Sequence, residues 1–209
     1  MEIKDIFIHH SGGIASNPYV SSAHLSFEDI NKAHKNRWDF KSSLGFYSGY
    51  NILINKKGEW EQHRAIGEET AHTIGHNNSS IGICLIGNFS PGVDKPTPEQ
   101  IKTLRLLLIS LVEGRYSLFK CSPDVRLSLS GSRIYPHRHA GLTECYGRAL
   151  SDGWARQIVI DFYAEKLRIM KQLVELTFKL KEALTKTQPR LGMSADDRDC
   201  DGFINSLIL

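Results

Sequence analysis

The sequence predicts an α/β fold: a central mixed β-sheet flanked by helices, followed by a long C-terminal helix and a short tail. Three observations predict it. Short apolar stretches alternate with segments of helical period, the pattern of a layered sheet and helices. The stretch "SSIGICLIGNF" is apolar at successive positions, as a strand covered on both faces must be. The segment "TPEQIKTLRLLLISLVEGRY" opens with helix-start signals, with Thr97 as N-cap, Pro98 at the first helical position and Glu99 and Gln100 in the first turn.

The other elements follow in chain order. "IKDIFIHH" reads as a buried strand that ends in polar residues. "SFEDINKAHKNRW" starts at a capping serine, Ser26, and places Ile30 and His34 at helical spacing. "GYNILINKKGEWEQHR" reads as two strands joined at the "KKGE" turn. With the central strand and the capped helix they make one unit, expected over residues 1–153. Residues 154–187 read as one long helix. Ile169, Leu173, Leu176, Leu180 and Ala183 recur there at alternating four and three, the coiled-coil pattern. Two readings stay open for it: its first part packs back on the first unit, or it serves as a stalk or a self-association helix that makes a homo-oligomer. Residues 188–209 form a polar tail. In it Asp197, Asp199, Asp201, Gly202 and Ile204 match the first half of a calcium loop, but Ile208 stands where the closing carboxylate belongs.

Composition narrows the function. The 209 residues are 41% hydrophobic and 23% charged, with a net charge of +3, which describes a globular chain with a substantial core. No block of Lys and Arg stands out, so no nucleic-acid partner is expected. The first residues carry acidic groups and no long apolar core, so no secretory signal and no membrane span are expected. That fits a chain held in a cytoplasm until it is released, or one exported by a non-standard route. The four cysteines, Cys84, Cys121, Cys145 and Cys200, are irregularly spaced and suggest no disulfide framework. Cys84, inside the central strand, reads as a small buried hydrophobe.

Cys145 has different neighbours. "YPHRHAGLTECYG" holds His137, His139 and Cys145, and "IFIHHSGG" holds His9 and His10. A structural zinc site needs four protein ligands, usually with a Cys-x-x-Cys pair, and this chain has no such pair. A catalytic zinc needs three ligands and an open position, which a His–Cys pair with one strand-end histidine can supply. Spacing alone favours surface histidines and a free thiol over this reading. A nucleobase deaminase is excluded, since both Cys-x-x-Cys and His-x-Glu are missing.

Five segments in fixed order add to this: "IFIHHSGG", "GYNILINKKGEWEQHR", "AHTIGHNNSSIGICLIGNF", "TPEQIKTLRLLL" and "PHRHAGLTECYG". Together they resemble the zinc-dependent N-acetylmuramoyl-L-alanine amidases, the group that includes bacteriophage amidase endolysins and peptidoglycan recognition proteins, over about residues 3–150. The resemblance implies an amidase fold, a Zn²⁺ cofactor held by His9, His137 and Cys145, and peptidoglycan (muramyl peptide) as substrate. His9 is preferred to His10 because the family's ligand is the first histidine after the apolar strand. His139 is a weaker rival to His137. Tyr50 matches the active-site tyrosine and Thr143 the position where active members carry Thr or Lys. His72, Asn77 and Arg64 match residues of the substrate groove, with a structural reading of Arg64 and Asn77 equally open. The implied reaction is hydrolysis of the amide between N-acetylmuramic acid and L-alanine by a zinc-activated water. The alternative is a non-catalytic peptidoglycan-binding module. Tyr146 replaces the family's Pro after the cysteine, a change beside the ligand and not in it.

Overall fold

The computed structural model describes residues 1–13 and 17–187. The calcium-like segment at Asp197–Ile208 therefore lies outside the described residues. The elements are β1 (Glu2–Ile3), β2 (Asp5–His10), α1 (Phe27–Trp38), β3 (Ile52–Ile54), β4 (Trp60–Gln62), β5 (Ser80–Leu85), α2 (Pro98–Val112), β6 (Arg126–Leu127), β7 (Ile134–Pro136) and α3 (Trp154–Thr187). The expected first strand is thus two: β1 leaves to pair with β6, while β2 enters the main sheet.

That sheet has the order β4-β3-β5-β2-β7. Only β4 runs antiparallel, so the sheet is mixed. The centre is β5, buried at every position, with β2 equally buried beside it. Strands covered on both faces must be continuously apolar or find internal partners for each polar group. Here Ile6, Phe7 and Ile8 of β2 and Ile81, Ile83 and Leu85 of β5 supply the apolar part. Burying each such side chain contributes about 1.5–3 kcal/mol.

Both helix starts follow the sequence signals. Ser26 and Asp29 form a reciprocal capping box on α1, and Thr97 and Gln100 form one on α2. Helix α2 turns Leu104, Leu107, Leu108 and Leu111 inward. Helix α1 contributes Ile30, which joins Leu53, Cys84 and Ile86 in one cluster with Tyr50 against it. Cys84 is buried and unbridged, and Cys121 and Cys145 are also free thiols.

The chain divides into two compact units, one running Met1–Phe162 and one beginning at Tyr163. The first turns of α3 belong to the first unit, where Ala155 and Val159 are buried and Trp154 meets Tyr146 edge-on at 5.7 Å. In the second unit, α3 exposes a series of large apolar side chains, Leu173, Leu176 and Leu180 among them. Among the described residues no helix is long and apolar enough to cross a membrane.

Candidate metal centre

The sheet register explains why two distant histidines meet. Ile8 of β2 pairs with Pro136 of β7, so His9 and His137 are the next residues along two parallel neighbours. Their rings lie 4.5 Å apart. The third group comes from the loop after β7. Arg138 fastens that loop: its backbone N–H donates to Cys145 O at 2.7 Å, and its guanidinium donates to Gly147 O at 2.9 Å, Leu150 O at 2.7 Å and Asp152 Oδ1 at 2.6 Å. The result brings one ligand atom each of His9, His137 and Cys145 within 4.8 Å of one another, the one such cluster among the described residues.

The donor set fits a zinc ion. His9 Nδ1 and Cys145 Sγ stand 3.7 Å apart. Two such ligands of one tetrahedral zinc, at its usual bond lengths, stand ~3.6 Å apart. Burial, and after it the neighbouring His72 and His137, holds His9 well below the ordinary imidazole range. Burial likewise lowers His137. Both rings are therefore neutral at ordinary pH, as metal ligands must be. The Cys145 thiol is pushed up to about 12 by burial, against the His10 backbone N–H that donates to its sulfur at 3.4 Å. Without a cation it keeps its proton, and a bound cation would displace it.

Behind His9 lies a supporting layer. His9 Nε2 is 3.1 Å from His72 Nδ1, which also meets Thr73 Oγ1 at 2.8 Å. With Nδ1 turned toward the cluster, His9 carries its hydrogen on Nε2 and donates it to His72. This tautomer is assigned from the partners. It leaves the His72 hydrogen on Nε2, a buried atom with no partner among the described residues. Asn77 Oδ1 accepts from the backbone N–H groups of both His72 and Thr73, at 3.0 and 2.8 Å, and so pins the loop that carries them. A metal-bound histidine is commonly oriented in this way through its second nitrogen.

A groove of about 280 Å³ opens over the cluster, lined by Tyr50, His137, Thr143 and Cys145 among others. The Tyr50 ring lies 5.0 Å from His9. Burial, then the adjacent Cys84 and Cys145, raise its phenol well above the ordinary value, so Tyr50 is a hydrogen-bond donor and not a base. Thr143 Oγ1 accepts from the Cys145 N–H at 3.3 Å, which leaves its own hydrogen to donate.

The remaining expected residues separate. His10 Nδ1 accepts from Phe89 N–H at 2.9 Å and is not in the cluster. His139 is exposed and stacks on Tyr135 at 4.6 Å, away from it. His72 is buried behind His9 and does not line the groove. Asn77 works on the loop backbone. Arg64 does not line the groove; it takes the structural role, and its ion pair, to Glu68 at 3.7 Å, is buried on the arginine side and not on the surface. It is fully buried, and its guanidinium donates to Ser48 O at 2.7 Å, Glu69 O at 3.0 Å and Phe40 O. Three carbonyls that no sheet partner reaches need a buried donor fork, and arginine supplies one. Sequence reasoning missed Thr73 and Arg138. The signal for each was adjacency alone: a hydroxyl next to His72, and a cation between two histidines.

The profile of a family described as N-acetylmuramoyl-L-alanine amidase matches residues 1–148. The peptidoglycan recognition protein of Trichoplusia ni is 29% identical over 150 residues, 71% of this chain and 71% of that protein. The endolysin of Escherichia phage T7 is 31% identical over 115 residues, 51% of this chain and 65% of the endolysin. Among solved structures, the N-acetylmuramoyl-L-alanine amidase LysC from Clostridium intestinale covers 78% of this chain and 97% of its own, with 19% identity and a TM-score of 0.51, a likeness of fold.

Proposed function

The chain belongs to the N-acetylmuramoyl-L-alanine amidase family, and from that premise we propose that it hydrolyses the amide joining N-acetylmuramic acid to the L-alanine of the peptidoglycan stem peptide. The catalytic unit in this reading is residues 1–153. The observation that carries it is the meeting of His9, His137 and Cys145 under a groove that also holds Tyr50 and Thr143.

His9, His137 and Cys145 would hold Zn²⁺. When bound, the ion supplies a water acidified toward neutral pH and a Lewis acid for the scissile carbonyl. The chain's own residues do the rest. Tyr50 stays protonated and donates to the oxyanion that develops on the carbonyl as water adds. Thr143 donates from the loop side, its oxygen held by the Cys145 N–H. Removing one such donor lowers the rate on the order of 10²–10³-fold. His72 and Thr73 keep the His9 ring in one tautomer and one plane.

The test is digestion of purified sacculi by the protein, with mass analysis of the fragments and zinc quantification in parallel. Release of stem peptides with a new free L-alanine amine supports the reading. Sacculus binding without release supports a second reading, a non-catalytic recognition module, which the likeness to the Trichoplusia ni protein favours.

A further inference from the structure

The second unit carries a surface that the amidase reading does not use. From Leu167 onward α3 exposes Leu167, Ile169, Met170, Leu173, Leu176 and Leu180, between 44% and 61% each. At roughly 100 Å² of exposed side chain apiece, these six present on the order of 600 Å², the upper end of what a monomer leaves in one patch. Each partner in a standard protein interface gives up only about 800 Å².

The spacing says what shape fits there. Ile169, Leu173, Leu176 and Leu180 form a four–three seam, which is the seam of one helix packed lengthwise on another. The charges say which way the second helix runs. Lys166 occupies the seam position before Ile169, so parallel pairing would set Lys166 against Lys166 of the second copy in one layer. Antiparallel pairing removes that repulsion. It layers Ile169 on Leu180 and Leu173 on Leu176 of the other copy, with Lys166 at the seam's end against Ala183. On the flank it sets Glu165 beside Lys186, opposite charges, and Gln172 beside Lys179. Glu165 is exposed and meets Arg168 of its own helix at 2.6 Å, an exposed pair that holds weakly enough to rearrange toward a new partner.

We propose that the Tyr163–Thr187 part of α3 pairs with the same segment of a second copy of this chain in antiparallel orientation. The apolar arc is wider than one seam, because Leu167, Met170 and Val174 extend it to one side, so two such pairs can close into a four-helix bundle. The assembly is even-numbered.

Sedimentation of the full chain tests it. The 23.6 kDa chain should run as a dimer or tetramer at micromolar concentration. The Leu173→Glu/Leu176→Glu variant should run as a monomer with unchanged zinc content and sacculus digestion. A wild-type monomer overturns the proposal, whether its helix face is covered by its own tail or binds anionic phospholipid vesicles. Orientation is read separately, and without the glutamate variant. Chains carrying Leu173→Cys, mixed with chains carrying Leu176→Cys, should cross-link 173 to 176 faster than either cross-links to itself. Faster 173–173 and 176–176 links overturn the antiparallel register.

Discussion

Replacing Gly82 with alanine tests the layer behind His9 with one added carbon. A Cβ on Gly82 would stand 2.4 Å from His72 Cδ2, 2.5 Å from Cγ and 2.8 Å from Nε2, where ordinary contact begins at 3.4 Å. The strand cannot retreat. It lies between β2 and β3, and Gly82 exchanges hydrogen bonds with Asn51 on both sides of its own peptide, N–H to Oδ1 at 2.8 Å and O from N–H at 3.0 Å. The backbone of His72 is pinned as well, by Asn77. The imidazole must therefore swing, and its 3.1 Å link to His9 is what it swings away from. Overpacking of this kind costs about 1–3 kcal/mol. For a chain of this size that lowers the melting temperature by roughly 2–4 °C per kcal/mol. Loss of an outer-shell partner lowers metal affinity about 10–100-fold. The assay is a zinc competition titration alongside thermal unfolding of the metal-free protein. Adding His72→Ala to Gly82→Ala removes the ring that clashes, so the double variant should be no less stable than His72→Ala alone. If Gly82→Ala binds zinc at wild-type affinity and melts at the wild-type temperature, the reasoning about His72 is wrong.

Three further outcomes are expected. Cys145→Ala should lose its zinc and nearly all sacculus digestion while circular dichroism stays native; stoichiometric zinc in that variant would remove Cys145 from the ligand set. Tyr50→Phe should keep its zinc and turn over on the order of 10²–10³-fold more slowly, since it lacks only the donor hydroxyl; wild-type kinetics would take Tyr50 out of the mechanism. Acid should destabilise the fold from below pH 6.5. His34 and His10 are each lowered to about 4, chiefly by burial, so the folded chain keeps them neutral where the unfolded chain charges them. Their contribution is whole above the unfolded value of 6.5 and is lost as pH falls toward 4. The urea midpoint, followed from pH 7 to 4, should fall less steeply in His34→Gln; an unchanged slope would refute the assignment.

The helices were legible because their signals are local. Ser26 with Asp29 and Thr97 with Gln100 lie within one turn of each other, and a cap depends on little else. Cys84 was legible because its neighbours in sequence are also its neighbours in a buried strand. The cluster was not legible from spacing, since His9 and Cys145 are joined only by strand pairing and a loop closure. Ordered motifs, not distances along the chain, brought them together on paper. Arg64 shows the converse. A charged residue at a strand end reads as surface, and nothing nearby announces that carbonyls from Phe40, Ser48 and Glu69 converge on it. His72 is similar: "AHT" specifies a polar corner but not whether it faces the groove or the back of His9.

The parallel pairing of β2 with β5 and β7 has a last consequence. Neighbouring residues on a strand face opposite ways, so a slip of β2 by one residue would present His10 where His9 now stands and turn His9 away. The chain therefore carries its own decoy, with the same chemistry, one position along. What rejects the decoy is not the ligand cluster but the frame: six residues of β2 locked to six of β5, three to β7, and His10 fastened to Phe89. The sheet acts here as a reading frame, and the ion would find the right histidine because the hydrogen-bond ladder has already counted to it.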